Sequence, residues 1–468
     1  MSHFSLTYLG IFSLILSVLS FFNIIYSYYF NLYLGIDSYV FSLIFSLLLG
    51  SFFLIKKKDN FRINIYHKIL TVISGYFILP LIISIPFYFS IYNISLLDSY
   101  FEAISGFTST GFTIFDNIKQ LDQSLILWRS SSQWIGGLYF LFSIILLLDI
   151  FDNNLKKSLT NFISFNTSEI LKQSSKILIL YTLLTLTLFI IFKIFDFRLF
   201  DSFNLAMTII SSGGFLPTNE LSTIINSQLK EIIISIMMLV SFFSIFLSYN
   251  LLYFKKKNIN FFQEDIYLFF YFLFLLIIFF TFFNFDYNYS IILLSLTSSI
   301  SNIGFTPKEV PTNLTFLYLV LVIIGGSFFS TSSGIRFFKL FILFKFSIND
   351  LISNIKPRSI FTNKHLFFHI NFEKTEINKY FLSLIIFILS LFLLTSLLTI
   401  SGINFENSFK LSILTIMNTV NSSLYGLADF NFQELHFFTK YYLIFFMIIG
   451  RIELLTILII SKKFIFKN

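Results

Sequence analysis

The chain has 468 residues, of which 56% are hydrophobic and only 12% are charged. Soluble globular domains carry about 25% charged residues, so this composition excludes a cytosolic enzyme, a disordered chain and a secreted scaffold. The lack of cysteine excludes a disulfide framework, a thiolate metal site and a cysteine nucleophile. The net charge of +8 comes from short basic runs between apolar stretches, which indicates membrane topology and not a nucleic-acid partner.

Apolar segments of about 20 residues predict ten membrane crossings. They lie near residues 8–33, 39–55, 69–92, 125–150, 176–195, 229–254, 265–285, 314–346, 379–400 and 438–461. Between them are four shorter apolar segments, near residues 99–110, 201–212, 289–302 and 407–420, whose length is typical of re-entrant helices. The first crossing is longer than the apolar core of a secretory signal, so we expect it to be retained.

Lysine and arginine are concentrated in alternate loops, and this bias predicts the orientation of the chain. If the basic run at residues 56–58 is cytoplasmic, alternation also makes cytoplasmic the runs at 156–157 and 255–257, the loop at 347–379 and the basic C-terminus. Both termini are then cytoplasmic. The four short segments all lie on the outer side of the membrane.

From the third crossing onward, one pattern occurs four times: a crossing, a short outer re-entrant helix, a polar turn and a second crossing. The turns lie at residues 108–112 (TSTGF), 211–215 (SSGGF), 301–305 (SNIGF) and, in a weaker form, 421–426 (NSSLYG). The pattern predicts an all-α polytopic membrane protein built around a central pore. Its parts are two preceding helices at residues 1–68 and four pseudo-symmetric pore repeats at residues 69–175, 176–264, 265–378 and 379–468.

Four such turns around one axis predict an ion filter. Non-helical backbone at membrane depth is tolerated where it lines a water-filled path, and a ring of backbone carbonyls can replace the hydration shell of a monovalent cation. Each re-entrant helix also points its partially negative C-terminal end at the ion. Glycine and serine can instead serve only as turns or tight helix contacts. Four turns in register with the topology favour the filter.

Four further segments occur along the chain in a recognisable order. They are FEAISGF at residues 101–107, WRSSSQWIGG at 128–137, GGS through STSSGIR within 325–336, and GRIE at 450–453. Together with the turns they resemble the Trk/Ktr/HKT superfamily of potassium transporters, most nearly its bacterial Trk membrane subunit. The resemblance implies K⁺ uptake across the inner membrane by a protein that is not an enzyme. It also implies K⁺ ions in the filter, no covalently bound cofactor, a homodimer and a cytoplasmic nucleotide-binding regulatory subunit.

The resemblance also assigns the filter residues. The candidate ion-binding residues are Thr110, Gly111, Gly213, Gly214, Ile303, Gly304, Ser423 and Leu424. We expect the glycines of the first three turns to lie in one ring around the pore axis. Alignment of the fourth turn with the family places Leu424 where the other turns have glycine, and the alternative is a slipped register in which Gly426 serves.

The segment at 314–346 is too long for one straight crossing, and serine, threonine and glycine in its middle weaken a helix. An interruption there needs a cavity beside it, and a packed kink is the alternative. The resemblance implies an intramembrane gate loop below the filter, and an arginine that projects into the pore. The candidate gate residues are Ser327, Ser330, Thr331, Ser332, Ser333, Gly334 and Arg451.

The two arginines in apolar segments have other interpretations. Arg451 can instead form a buried ion pair with another helix, and Arg129, beside Trp128, is expected to be an interfacial anchor. Two functions besides K⁺ uptake stay open. One is a Na⁺-conducting or Na⁺-coupled relative of the same fold. The other is a membrane-embedded lipid-modifying enzyme, which needs carboxylates or histidines converging near one membrane face.

Overall fold

The computed structural model describes residues 3–55, 65–91, 94–151, 170–252, 263–283, 288–309, 312–355, 374–428 and 430–452. Within these residues the chain forms sixteen α-helices. They are α1 (His3–Tyr29), α2 (Ile36–Ile55), α3 (Ile65–Ser90), α4 (Leu96–Phe107), α5 (Gln123–Phe151), α6 (Ile170–Ile194), α7 (Leu199–Ile210), α8 (Gln228–Phe242), α9 (Ile245–Leu252), α10 (Gln263–Phe283), α11 (Tyr289–Ile300), α12 (Thr315–Ile324), α13 (Phe337–Ile355), α14 (Lys374–Ile400), α15 (Phe405–Ile416) and α16 (Phe437–Ile452).

Seven of the described helices are long and apolar enough to cross a membrane. They are α1, α2, α3, α5, α6, α10 and α14, and they match seven of the ten predicted crossings. The predicted crossing at 314–346 is interrupted between α12 and α13, as expected. The last crossing is described as far as Ile452. The basic runs at 56–58, 156–157 and 255–257, most of the 347–379 loop and the basic C-terminus lie outside the described residues.

The prediction of one continuous helix over 229–254 is wrong, because the chain breaks between α8 and α9. At the break, the backbone N–H of Ile245 donates to the carbonyl of Phe329, and the carbonyl of Phe242 accepts from the N–H of Ser327. These partners belong to the segment that interrupts the third repeat. A tertiary contact therefore replaces the helical hydrogen bonds of an apolar run that has no local signal for a break.

The first two helices pack closely against each other. Gly10 and Gly50 lie at their contact, where a carbon added to Gly10 would be 3.1 Å from the carbonyl oxygen of Gly50. The hydroxyls of Ser20 and Ser42 share a buried hydrogen bond of 3.1 Å. Small residues and hydroxyl bonds of this kind are typical of helix pairs in membranes, where no hydrophobic force drives association.

The short helices α4, α7, α11 and α15 each have 12 residues and each follows a long helix. This agrees with the predicted positions of the four re-entrant segments. The predicted repeat limits at 68/69, 175/176, 264/265 and 378/379 fall inside α3, α6, α10 and α14. Each of these helices has charged or polar residues in its first turn, which a search for apolar segments passes over.

Candidate functional site

The four short helices end in the same backbone motif. The second residue after each helix has positive φ, at 57° for Ser109, 55° for Ser212, 61° for Asn302 and 47° for Asn418. The backbone N–H of the third residue then donates to a carbonyl five residues earlier. The donors and acceptors are Thr110 to Ser105 (2.9 Å), Gly213 to Thr208 (2.8 Å), Ile303 to Ser298 (3.1 Å) and Thr419 to Leu414 (2.9 Å). This motif satisfies the free carbonyls of a helix end, and it sets the register of all four turns.

In this register the fourth residue after each helix is Gly111, Gly214, Gly304 or Val420, and we call these four residues the ring. A carbon added to Gly111 would lie 2.9 Å from the Cα of Gly214 and 3.1 Å from the Cβ of Val420. One added to Gly304 would lie 2.6 Å from the Cγ1 of Val420, and one added to Gly214 would clash with the Cβ of Val420. The three glycines therefore lie together, as the sequence predicts.

The four ring residues line a cavity of about 830 Å³, which we call the vestibule. The other walls are formed by the segments that follow the ring residues in all four repeats, among them Phe115, Leu216, Thr306 and Asn421. The ring is therefore the point at which four chain segments meet at one opening.

The predicted positions of Ser423 and Leu424 are wrong. They lie in a short 3-10 helix after the ring, and Val420 occupies the glycine position of the fourth repeat. The slipped register with Gly426 is also wrong, because a carbon added there would approach Lys410 and Thr315 and no ring residue. The physical reason is that the helix end, and not the next available glycine, sets the register.

Side chains just before the ring connect neighbouring repeats. The bonds are from Ser212 Oγ to the Ser301 carbonyl, from Asn302 Nδ2 to Thr419 Oγ1 (3.2 Å) and from Asn418 Nδ2 to Thr110 Oγ1 (3.0 Å). They join the second repeat to the third, the third to the fourth and the fourth to the first. A buried hydrogen bond contributes about 0.5–1.5 kcal/mol and leaves a costly unpaired group when one partner is removed.

A buried ion pair fixes the first turn where it leaves the ring. Arg129 Nε lies 2.8 Å from the Glu102 carboxylate, and both side chains are almost fully buried. The carboxylate also accepts from the Thr113 hydroxyl and from the backbone N–H of Ile114. The guanidinium carbon lies 4.1 Å from the centroid of the Phe215 phenyl group in the second repeat. Arg129 is therefore not the expected interfacial anchor, because it has a carboxylate partner inside the protein.

The helix that follows the first turn supports two turns at once. A carbon added to Gly136 of α5 would clash with the carbonyl of Phe107, the last residue of α4. In the same helix, the Gln133 side chain accepts a hydrogen bond of 3.2 Å from the backbone N–H of Phe215. The WRSSSQWIGG segment therefore packs against the first turn through glycine and binds the second turn through glutamine.

The segment between α12 and α13, residues 325–336, is a closed loop. Gly325 and Gly334, near the two ends of the loop, have φ of 69° and 93° and lie against each other. A carbon added to either glycine would clash with the backbone of the other. Inside the loop, Arg336 Nη1 donates to the carbonyls of Ser327 (2.9 Å) and Ser332 (2.8 Å). The interruption is thus an ordered loop and not a packed kink.

The loop contacts the second repeat. The Thr331 hydroxyl donates 2.8 Å to the carbonyl of Ile210, the last residue of α7. Two carboxylates in the first turn of α10 complete the contact. Glu264 accepts from the backbone N–H of the loop residue Phe328 (2.8 Å), and Asp265 accepts from that of Ser244 at the α8–α9 break (2.9 Å). We call Glu264 and Asp265 the carboxylate clamp.

Arg451 of α16 lies between the loop and the ring and is 1% exposed. Its Nη1 donates 2.6 Å to the Ser333 hydroxyl of the loop, and its Nη2 lies 3.3 Å from the Ser109 hydroxyl and 3.5 Å from the Ser211 carbonyl. Among the described residues no carboxylate is within salt-bridge distance of Arg451. The ion-pair interpretation is therefore not supported within that part of the chain.

Sequence reasoning placed the loop serines and Arg451 together, and the structure also brings them together. Sequence reasoning did not predict a role for Val420, Asn418, Asn302 or the carboxylate clamp. The asparagines had a signal, since asparagine tolerates positive φ at helix ends, and the clamp had one in adjacent acidic residues at the start of an apolar segment. Val420 had none, because valine in an apolar segment is ordinary.

No family model matches the chain. It is 26% identical to an uncharacterized cation transporter of Methanocaldococcus jannaschii over 433 residues, which cover 87% of this chain and 84% of the relative. It is 24% identical to the Trk system potassium uptake protein TrkG of Escherichia coli over 436 residues, 88% of each chain. Its fold matches the crystal structure of the potassium transporter TrkH from Vibrio parahaemolyticus with a TM-score of 0.81, at 20% identity and 98% coverage of both chains.

In sequence the chain is similar to Trk potassium uptake proteins, and in fold it is similar to the potassium transporter TrkH. The relatives are matched over nearly their whole length, so the likeness covers the two preceding helices as well as the repeats. The all-helical membrane fold predicted from the repeats is confirmed.

Proposed function

We propose that this chain takes up K⁺ across the cell membrane, through the ring and past the loop below it. The observation that carries the proposal is the meeting of four helix C-terminal ends at one opening. Helix C-terminal ends carry partial negative charge, which stabilises a cation, and backbone carbonyls on the axis can replace its hydration shell. K⁺ is favoured over other cations because relatives matched along most of the chain are potassium uptake proteins.

The ion-binding residues in this proposal follow the structural register. They are Thr110, Gly111, Gly213, Gly214, Ile303 and Gly304, with Thr419 and Val420 replacing Ser423 and Leu424. No catalytic residue is needed. An inside-negative membrane potential contributes about 2.3 kcal/mol per 100 mV for each charge moved inward.

The loop would be the gate. Its hydroxyl residues Ser327, Ser330, Thr331, Ser332 and Ser333 are buried. Thr331 contacts Ile210 directly, and Ser333 contacts Ser109 through Arg451. Ile210 and Ser109 precede the ring residues of their turns, whereas the segments that follow the ring line the vestibule. An ion that has passed the ring therefore meets the loop and a guanidinium, and both must be displaced before it continues.

Membrane location, oligomeric state and a partner subunit also belong to the proposed function. We expect an inner-membrane protein with both termini in the cytoplasm, in contact with lipid, and acting as a homodimer. A cytoplasmic nucleotide-binding regulatory subunit would dock on the basic inner face, since the sequence itself contains no nucleotide-binding motif. The lipid-modifying enzyme is set aside, because the relatives are transporters. A Na⁺-conducting relative stays as the second candidate, because the fourth ring position is not glycine.

Growth of a bacterium that lacks its own K⁺ uptake systems, in low-potassium medium, tests the proposal. Gly304→Ala would place a carbon 2.6 Å from Val420, whereas Gly402→Ala adds one where nothing lies within 4 Å. Both glycines have positive φ, 83° and 93°, so the backbone strain of the two variants is matched.

We expect the wild-type chain and Gly402→Ala to support growth and Gly304→Ala to fail, at equal amounts of protein in the membrane. Equal growth of the two glycine variants would contradict a role for the ring. No growth with wild-type chain present in the membrane would contradict K⁺ uptake itself.

A further inference from the structure

Val420 is the ring residue that carries a branched side chain. Its Cβ and Cγ1 lie against Gly111, Gly214 and Gly304, so that a single carbon added to any of these glycines would be crowded by it. Unlike Gly111 and Gly304, Val420 is not in the positive φ region, so valine is compatible with its backbone. The side chain therefore extends across the ring.

The position of this side chain conflicts with an ion at the level of the ring. A filter site must offer oxygen ligands on all sides of a dehydrated cation. The methyl groups of Val420 offer none and occupy the space that such an ion would need. A β-branched side chain is also stiff about χ1, so it does not swing aside freely.

The next level of the proposed filter differs from the ring, because its backbone hydrogen bonds are equivalent in all four repeats. Thr110, Gly213, Ile303 and Thr419 precede the ring and have equivalent backbone hydrogen bonds in all four repeats. The four repeats therefore have equivalent backbone hydrogen bonds at this level. They differ at the ring, where the fourth repeat has valine and the other three have glycine.

Building on the proposed function, we propose that Val420 closes the outermost ion site of the filter. Ions bind first at the level of Thr110, Gly213, Ile303 and Thr419. The apolar side chain limits the rate at which they arrive from the vestibule. Val420 is thus the residue of this chain that determines how many ions the filter holds and how fast they enter.

The test is rubidium binding to purified protein, measured as the rise in thermal unfolding temperature with rubidium concentration. A bound ion stabilises the folded state in proportion to the logarithm of its concentration over Kd. Binding from the vestibule does not require the gate to open. We expect Val420→Gly to lower the half-maximal rubidium concentration by about tenfold or more, and Val420→Ala to lower it by less. The alanine variant also covers the case in which the glycine variant fails to fold.

Leu216→Ala is the matched control, because Leu216 is an apolar residue of the vestibule wall outside the ring. It should bind rubidium as the wild type does. Wild-type half-maximal concentrations in both Val420 variants would overturn the inference and leave the proposed function standing. A chain in which neither the wild type nor any variant responds to rubidium would overturn both.

Discussion

At the scale of a single side chain, Arg451 links the loop to the residues just before the ring. Just before the ring, three of the contacts between neighbouring turns are made by serine or asparagine of the turns themselves, and the Nη2 of Arg451 lies between Ser109 of the first turn and Ser211 of the second. The same guanidinium binds Ser333 of the loop. Because Ser109 and Ser211 lie one and two residues before the ion-binding residues proposed for their turns, displacement of the arginine would affect the proposed filter as well as the proposed gate.

Arg451→Gln is expected to raise rubidium flux several-fold and to lower the ratio of rubidium to sodium flux. The charge beside the loop is lost, and so is the contact that Arg451 makes with Ser109 and Ser211 of the first two turns. Arg451→Lys keeps the charge, but it lacks the planar fork that reaches Ser333, Ser109 and Ser211 at once.

The lysine variant separates the two effects when flux is measured in proteoliposomes. We expect low flux with a reduced preference for rubidium. A lysine variant with wild-type preference would show that charge alone matters, and that the contacts with Ser109 and Ser211 are incidental.

Residue type predicts the ring position in three of the four turns but not in the fourth. Glycine marks the ring in three repeats, and in Gly111 and Gly304 it permits the positive φ of 84° and 83°. The fourth repeat does not need positive φ there, so no glycine signals the position. A count from the helix end would find it, because Asn418 stands where the other turns have serine or asparagine with positive φ.

At the scale of elements, the loop at residues 325–336 is held by parts of two repeats. Its backbone binds the α8–α9 break through Ser327 and Phe329, and the carboxylate clamp binds the loop at Phe328 and the break at Ser244. If the loop moves away from α10, the contact between Glu264 and Phe328 breaks, so we expect motion of α10 to affect the loop.

Removal of the Glu264 carboxylate tests this coupling. Glu264→Ala leaves the buried N–H of Phe328 without its acceptor, at a cost of about 1–3 kcal/mol to the closed loop. We expect higher rubidium flux in proteoliposomes. Glu264→Gln keeps a carbonyl acceptor at the same place and should restore wild-type flux.

A structural role elsewhere would lower the thermal unfolding temperature of both variants and leave flux unchanged. An unfolding temperature near that of the wild type, together with raised flux in Glu264→Ala alone, is the outcome that the clamp predicts. Raised flux in both variants would show that charge and not the hydrogen bond holds the loop.

Hydropathy predicts most elements because the apolar length of a crossing is set by the membrane. The interruption at 325–336 was also readable, since serine and glycine replace apolar residues there. The α8–α9 break was not, because Phe242, Phe243 and Ile245 continue an apolar run. The contacts that end the helix come from residues more than 80 positions later in the chain, such as Phe329.

At the scale of the whole molecule, four unlike sequences form one ring. Each repeat contributes a short helix, a turn and one ring residue, and hydrogen bonds between turns close the ring in order from first to fourth. Removal of one ring contact should therefore affect all four repeats. The function depends on an arrangement that no single repeat can form.

Ion flux in proteoliposomes with an inside-negative potential tests whether K⁺ passes through the ring. We predict that liposomes holding the wild-type chain accumulate rubidium well above sodium, in proportion to the potential. Gly304→Ala should abolish that uptake and Gly402→Ala should retain it. Equal accumulation of rubidium and sodium, or rubidium uptake that survives Gly304→Ala in folded protein, would contradict a potassium pathway through the ring.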